Sequence, residues 1–342
     1  MTDAGYVTVY ANTIAVMLSL GILVLAGRLR IKDRTEKRIF MSLLTNVIAM
    51  SIFYILRTLR DDRVIVFTQA TAMLLETILE ILINLFTIIW MIYVDYRMFH
   101  SMTHIKRNAA VIFIPFLVLI VLDVINSFTG IMLRIDENLV VEERPLYILT
   151  DIIRIGYFIV SLVILEVHKR RDENMKFFSV LPFFVPTLFY ILFYYFTPYA
   201  TVTLGLSIGI ALIYVELINE QCYKDSETGF YNILYLDYLR KKAAGGRYDP
   251  QSAIVFRISG DSIKQSAEMI AKQLPRNCYT IRCSKDTLVT LAYVKNKSSL
   301  FMISEDVQTD MDKAGIPIQI GIDQKKKTER GIVFLDRLLK SV

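Results

Sequence analysis

Seven acidic, basic or amide side chains stand inside stretches that are otherwise apolar: Glu76, Glu80, Asn84, Asp123, Asn126, Asp151 and Arg154. In hydrocarbon such groups are costly, and they persist where they pair with one another, hold a ligand or line an ion path. Gln69, Glu76, Glu80, Asn84 and Thr87 recur at steps of seven, four, four and three residues, which draws one polar stripe along a helix. Asp151 and Arg154 have the i,i+3 spacing of a helical ion pair. Three chemistries suit this set: an internal salt-bridge and hydrogen-bond network, a pocket for a small or lipidic ligand, or a path for ions or protons. The residue types alone leave all three open.

The elements that carry these groups are set by composition. Hydrophobic residues make up 54% of the 342, high for a chain that folds in water. A bilayer core of about 30 Å needs about 20 apolar residues of helix. Stretches of that kind fall at about 5–27, 38–57, 67–94, 109–130, 146–167, 177–197 and 199–218. The expected fold for residues 1–218 is therefore a multi-pass α-helical bundle of seven transmembrane helices. The last two stretches join at Thr197-Pro198-Tyr199, a turn signal that argues against merging them. No basic region precedes the first stretch and a basic cluster follows it, so it reads as a retained span rather than a signal peptide.

The loops set orientation. One side collects Arg28, Arg30, Lys32, Arg34, Lys37, Arg38, Arg97, Lys106, Arg107, Lys169, Arg170, Arg171 and Lys176. The other holds Arg57, Arg60, Arg63, Arg134 and Arg144, diluted by Asp61, Asp62, Asp136, Glu137, Glu142 and Glu143. Thirteen basic residues against five place the N-terminus outside and the C-terminus in the cytoplasm. The outer loops are too short for a separate binding domain, so a stimulus would be small, lipidic or physical. The formal charge of +6 lies largely in these loops, and no basic stripe interleaved with aromatics marks a nucleic-acid surface. Cys222, Cys278 and Cys283 show neither a zinc spacing nor a disulfide framework, which suits a reducing compartment. His100 and His104 have a metal-ligand spacing but no Glu between them, and no resident metal or cofactor is expected. Asp95-Tyr96-Arg97 bears comparison with the Asp-Arg-Tyr motif of animal seven-helix receptors. The order differs, and no Asn-Pro-x-x-Tyr follows.

From residue 219 the chain turns polar, and residues 219–342 read as a second domain. Helices are expected over Ile233–Lys242, Ser262–Leu274, about 299–314 and about 331–340. Strands are expected over Ala253–Ile258, Cys278–Cys283, Thr287–Val294 and Ile316–Ile322, with Ser284-Lys285-Asp286 turning a hairpin. Alternating strands and helices in so small a space predict an α/β sandwich on one sheet.

Asp225-Ser226-Glu227-Thr228-Gly229-Phe230-Tyr231-Asn232 resembles the Asp-x-x-Thr-Gly-[Leu/Phe]-x-Asn-Arg entry of GGDEF domains, the diguanylate cyclase family. Gly260-Asp261-Ser262-Ile263 is similar to that family's Gly-Asp-x-x-Leu helix start, and Ile316–Ile322 resembles its late strand. Arg282-Cys283-Ser284-Lys285-Asp286-Thr287-Leu288 falls where the family has Arg-Tyr-Gly-Gly-[Asp/Glu]-Glu-Phe. The seven-span region also looks like the seven-helix sensor modules that precede bacterial GGDEF and histidine kinase outputs.

The resemblance implies a bacterial plasma-membrane signalling protein with a C-terminal α/β GGDEF-like, nucleotide cyclase-like domain. It also implies where the chain departs from catalysis. Joining two GTP molecules needs carboxylates for divalent metal and a turn that lets backbone approach phosphate. Here Arg257 stands where the family has a first-strand Asp. The segment Asp-x-Asp-x-Phe-Lys-x-x-Asn-Asp is missing between Ile258 and Gly260. Ser284 and Lys285 replace the glycines, and Thr287 replaces the catalytic Glu. The Arg-x-x-Asp of product inhibition, due over Pro275–Cys278, is absent. Asp225, Thr228, Gly229 and Asn232 keep the entry motif, while Ser284, Lys285, Asp286, Thr287 and Leu288 form a degenerate hairpin. The implied output is a non-catalytic domain acting by contact with a second copy or an active GGDEF-family protein. An active cyclase and a nucleotide-binding receptor remain as alternatives.

Overall fold

The computed structural model describes residues 1–28, 33–99, 101–137, 139–171, 181–197, 199–246, 248–259, 262–274, 278–292, 297–326 and 328–341. Arg30, Lys32, His100, Lys176, Pro198, Gly260, Asp261 and Pro275 lie outside them, as do the side chains of Lys169, Arg170 and Arg171. The chain divides into two compact units, one running to Leu217 and one from Ile218 onward.

The first unit is a bundle of α1 (Asp3–Arg28), α2 (Arg34–Asp61), α3 (Gln69–Phe99), the short α4 (Met102–Arg107), α5 (Ala109–Thr129), α6 (Tyr147–Arg171), α7 (Leu181–Phe196) and the start of α8 (Val202–Cys222). Among the described residues, six helices are long and apolar enough to cross a membrane: α1, α2, α3, α5, α6 from Tyr147 to Val167, and α8. The sixth expected stretch, 177–197, forms α7, whose apolar run, Phe183–Phe193, is shorter than these six.

Helix α3 is the axis of the bundle. It packs against α2, α5 and α6 and is the most buried of the apolar helices. That position accounts for most of the polar stripe, because Glu76, Glu80 and Asn84 meet groups on partner helices while Gln69 meets the Ile135 carbonyl. Ion pairs and hydrogen bonds also give the directions. Glu36 meets Arg97 and Arg60 meets Glu76, so α2 and α3 are antiparallel. Glu80 meets Arg154 and Met91 meets Ser161, so α3 and α6 run parallel. Asn12 bonds Thr203 and Ser19 bonds Ser207, so α1 and α8 also run parallel.

Close packing of α7 on α8 depends on two glycines one turn apart. A Cβ on Gly205 would stand 2.7 Å from Tyr190 Cβ, and one on Gly209 would stand 2.8 Å from the Phe183 ring. Phe183 in turn stacks on Trp90 at 3.7 Å, carrying α7 onto α3. Between α5 and α6, where the sequence predicts only a short loop, the chain forms an antiparallel ribbon of β1 (Leu133–Ile135) and β2 (Val141–Glu143). Asn126 Oδ1 anchors it by accepting from the Met132 and Leu133 amides at 2.7 and 3.0 Å, and Gln69 donates to Ile135 O at 2.7 Å.

The second unit is built on a mixed sheet ordered β3-β5-β6-β4-β7. Its strands are β3 (Tyr231–Asn232), β4 (Ser252–Ile258), β5 (Tyr279–Arg282), β6 (Thr287–Ala292) and β7 (Ile318–Gln324). The helices are α9 (Ile233–Ala244), α10 (Ile263–Gln273), α11 (Lys297–Lys313) and α12 (Gly331–Ser341). Alternation along β4 sends Ile254, Phe256 and Ile258 into a core with α10 and α11, closed by Ile270, Val307 and Met311. Helices α9 and α12 pack against each other, and α9 meets β3 and β5. Tyr235 of α9 lies stacked on Tyr231 at 3.8 Å. Strand β3, two residues long, pairs parallel with β5, and the sequence reading missed it.

Candidate functional site

The seven polar residues singled out in the apolar stretches gather at one end of the bundle, where α2 ends and α3 begins. Arg154 is the hub. Its Nε donates to Asn84 Oδ1 at 2.8 Å, its Nη1 to Tyr147 Oη at 3.4 Å, and its Nη2 pairs with Glu80. Asp151 Oδ1 lies 3.5 Å from Nη1. Tyr147 Oη donates to the other oxygen of Glu80 at 3.0 Å, and Asn84 Nδ2 donates to Asp123 Oδ2 at 2.7 Å. Glu76 forms a neighbouring cluster. Its Oε1 lies 2.7 Å from Arg60 Nη2 and 3.3 Å from Arg57 Nε, close enough for charge pairing but off the line of either N–H bond. Arg60 is 1% exposed. The basic group at 57–63, which weakens the loop asymmetry, is thus partly internal charge. Asn126 belongs to the ribbon anchor rather than to this network.

These groups border open space. A cavity of about 250 Å³ lies among α2, α3, α6, α7, α8 and the ribbon. Four carboxylates (Glu76, Glu80, Glu143, Asp151) and two guanidiniums (Arg57, Arg154) line its polar part. Tyr54, Phe86, Tyr147 and Phe158 add aromatic surface, and Met50, Ile83, Ile191 and Leu206 add aliphatic surface. A concave, mostly apolar space with a few convergent polar groups is the usual form of a small-molecule site. Sequence reasoning missed Glu143 and Tyr147. The one signal for them was position, Glu143 just before and Tyr147 at the start of the span that already carried Asp151 and Arg154.

At the opposite end of the bundle Asp95, Tyr96 and Arg97 make a latch. Arg97 Nη1 bonds Glu36 Oε1 at 2.6 Å, and Tyr96 Oη donates to Asp33, the N-cap of α2, at 2.6 Å. Asp95 lies 3.1 Å from His104 Nδ1, and the His104 ring stacks on Phe99. The Asp95-Tyr96-Arg97 triplet therefore clamps α3 to α2 and α4.

In the second unit the entry motif explains its own residue types. Asp225 Oδ1 accepts from the Thr228 amide and hydroxyl, both at 2.8 Å, and the Gly229 amide donates back to Asp225 O at 2.9 Å. Gly229 has φ 76°, a left-handed conformation that favours glycine. Asn232 then caps α9 through the Leu234 amide and donates to Cys222 O. Burial opposes ionisation of Asp225, but hydrogen bonds from Thr228 and Arg282 outweigh it and hold the carboxyl below its ordinary range.

The hairpin is tied to this motif and to itself. Arg282 Nη1 reaches Asp225 at 3.0 Å and Glu227 at 2.7 Å, while its Nε and Nη2 donate to Ser284 O and Lys285 O. Asp286 Oδ1 accepts from Ser284 Oγ at 2.7 Å and Thr287 Oγ1 at 3.1 Å, and these bonds lower its pKa. Arg257 is in register with Thr287, so a guanidinium stands beside the one carboxylate of the turn. Leu288 is fully buried in the α10–α11 core. These residues do not fit a divalent ion: a single carboxylate already holds two hydroxyls, and its strand neighbour is cationic.

No family model matches the chain, and no curated protein matches it. Among solved structures the chain is similar to the S helix–GGDEF–EAL region of LapD from Vibrio cholerae, in a structure bound to cyclic di-GMP. The two share 12% identity over 38% of this chain and 35% of that one, with a TM-score of 0.33. The chain thus spans about a third of the length of that structure.

Proposed function

We propose that the chain is a membrane signal-transduction protein in which a seven-helix bundle senses a small or lipidic ligand. Its output is a degenerate GGDEF-like domain that acts by protein contact, with a second copy or an active GGDEF-family protein as partner. The observation that carries this reading is the hairpin: Arg282, Ser284, Asp286 and Thr287 bond one another and the entry motif instead of presenting carboxylates and bare backbone to a nucleotide. The cavity supports the sensing half of the reading, since it joins a charged wall to an apolar one within the bundle.

Seven crossings are favoured over six by the parallel run of α1 and α8, which demands an even number of crossings from one to the other. Counting α7 meets that demand. At about 1.5 Å per residue its 16 residues span about 24 Å, which a slight thinning of the bilayer accommodates. The loop charges support an N-terminus outside a bacterial plasma membrane and a C-terminal domain in the cytoplasm. Helix α8, unbroken from Val202 to Cys222, is the element through which a tilt or rotation would pass.

The test uses the full chain purified in detergent, incubated with GTP and Mg²⁺. No cyclic dinucleotide is expected, and light scattering is expected to report self-association or capture of an active cyclase. GTP turnover that disappears in Asp286→Ala would end this reading. Tight nucleotide binding without turnover would replace it with the receptor alternative.

A further inference from the structure

The charge balance of the bundle cavity says what kind of ligand it would take. Its wall holds four carboxylates against two guanidiniums, and Arg60 reaches Glu76 from behind, so the site stays one negative charge in excess. The positive groups are already engaged. Arg154 directs Nε, Nη1 and Nη2 to Asn84, Tyr147 and Glu80, and Arg57 lies against Glu76. Glu143, by contrast, forms no ion pair among the described residues and faces the like charge of Asp151. Burial, and then that neighbouring carboxylate, raise the pKa of Glu143. A cation placed between Glu143 and Asp151 would relieve the repulsion between them. An anion would have to compete with Glu80 and Glu76 for guanidiniums that already lie against carboxylates. Tyr54 and Phe158 in the lining add aromatic surface, which attracts a cationic head.

Resting on the reading of the bundle as a sensor, we infer that the cavity binds an organic cation: an amine whose charged head sits between Glu143 and Asp151 and whose apolar body extends toward Phe86 and Leu206. The ligand is monovalent and compact. The apolar lining offers no second carboxylate cluster for a polyamine, and about 250 Å³ limits the body to one ring or a short chain.

The test is calorimetry on the full chain in dodecyl maltoside with three probes of one shape: phenethylamine, 2-phenylethanol and 3-phenylpropanoate. The amine is expected to bind about tenfold more tightly than the alcohol, and the carboxylate more weakly than either. Glu143→Gln and Asp151→Asn are each expected to weaken the amine by about threefold and to leave the alcohol unchanged. Glu143 is exposed on a surface ribbon, so its variant keeps the fold, and an unchanged melting temperature checks this. Equal or tighter binding of the carboxylate, an amine affinity indifferent to both substitutions, or no amine binding at millimolar concentration would each overturn the inference. Light scattering separates the two claims. Amine binding that leaves self-association and partner capture unchanged breaks the sensor reading and spares the cavity chemistry. A carboxylate ligand that shifts assembly does the reverse.

Discussion

The bundle cavity and the β5–β6 hairpin are both rich in charged and hydroxyl groups, yet they dispose of them in opposite ways. Around the cavity, side chains from different helices converge across open space, and Arg154 holds the wall together while Glu143 is left facing that space. In the hairpin, groups three or fewer residues apart close on each other, and Arg282 bolts the turn to the entry motif. Convergence from distant parts of the chain creates room for a guest. Closure between sequence neighbours uses up the same chemistry and leaves a rigid surface. Richness in polar residues is therefore a poor guide to a binding site until the partners of each group are known.

The sharpest way to break this contrast is to remove the hub. Arg154→Gln strands Glu80 in a site that is 10% or less exposed on both sides. The loss of a buried pair's cation is expected to destabilise the bundle by about 3–5 kcal/mol, read as a fall in melting temperature in detergent. Glu80→Gln added to that variant is expected to recover part of the loss, because the orphaned charge goes with it. A wild-type melting temperature for the single variant would show that the network is ornamental. Next in size is Gly229→Ala in the entry motif. Its left-handed φ is expected to cost about 1–2 kcal/mol, measured by denaturant unfolding of the full chain with hydrogen exchange of the α9–α12 amides as the probe of the second unit.

Much of the fold was legible because its signals are local and strong. The apolar stretches at 5–27, 38–57, 67–94, 109–130 and 146–167 each contain a long helix, and the expected strand and helix pattern after residue 250 matches β4 to α12 within a few residues. What escaped notice was set by tertiary partners. Strand β3 exists because Tyr231 and Asn232 lie along β5. The β1–β2 ribbon exists because Asn126, seven residues upstream of Leu133, collects two amides. At the site, the stripe Glu76–Glu80–Asn84 was readable as a period, and Asp151–Arg154 as a spacing. No period, however, foretold that Arg154 would reach past Asp151 to Glu80 on another helix, or that Glu143 would turn toward the same space. The role of Arg282 escaped for the same reason: its acidic partners lie 55 and 57 residues away.

A smaller effect sharpens the hairpin side of the contrast. Because Asp225 is held below its ordinary pKa in the folded state, its contribution is complete above the usual carboxylate range and fades as pH falls through the lower folded value. The second unit should therefore lose stability on acidification below about pH 4, and Asp225→Asn should flatten that slope. Arg282→Ala, which removes the charged partner, is expected to cost about 1 kcal/mol near neutral pH, since the pair is partly solvated. A slope unchanged in Asp225→Asn would assign the acid sensitivity to some other carboxylate.

The smallest expected effect is the most direct probe of the closed hairpin. Ser284→Gly with Lys285→Gly supplies the glycine pair that the proposed GGDEF-like reading would expect, and it removes one hydroxyl from Asp286. If the missing glycines were all that kept the domain silent, the double variant in detergent would turn GTP into a cyclic dinucleotide with Mg²⁺. Turnover is expected to stay at background, because Arg257 still stands in register with Thr287 and no second carboxylate has been supplied. The melting temperature should move little, since Arg282 bonds the backbone carbonyls at positions 284 and 285, and these survive the substitution. Any product above background would mean that the turn alone sets the barrier, and the closed hairpin would then be a latch that two glycines can open.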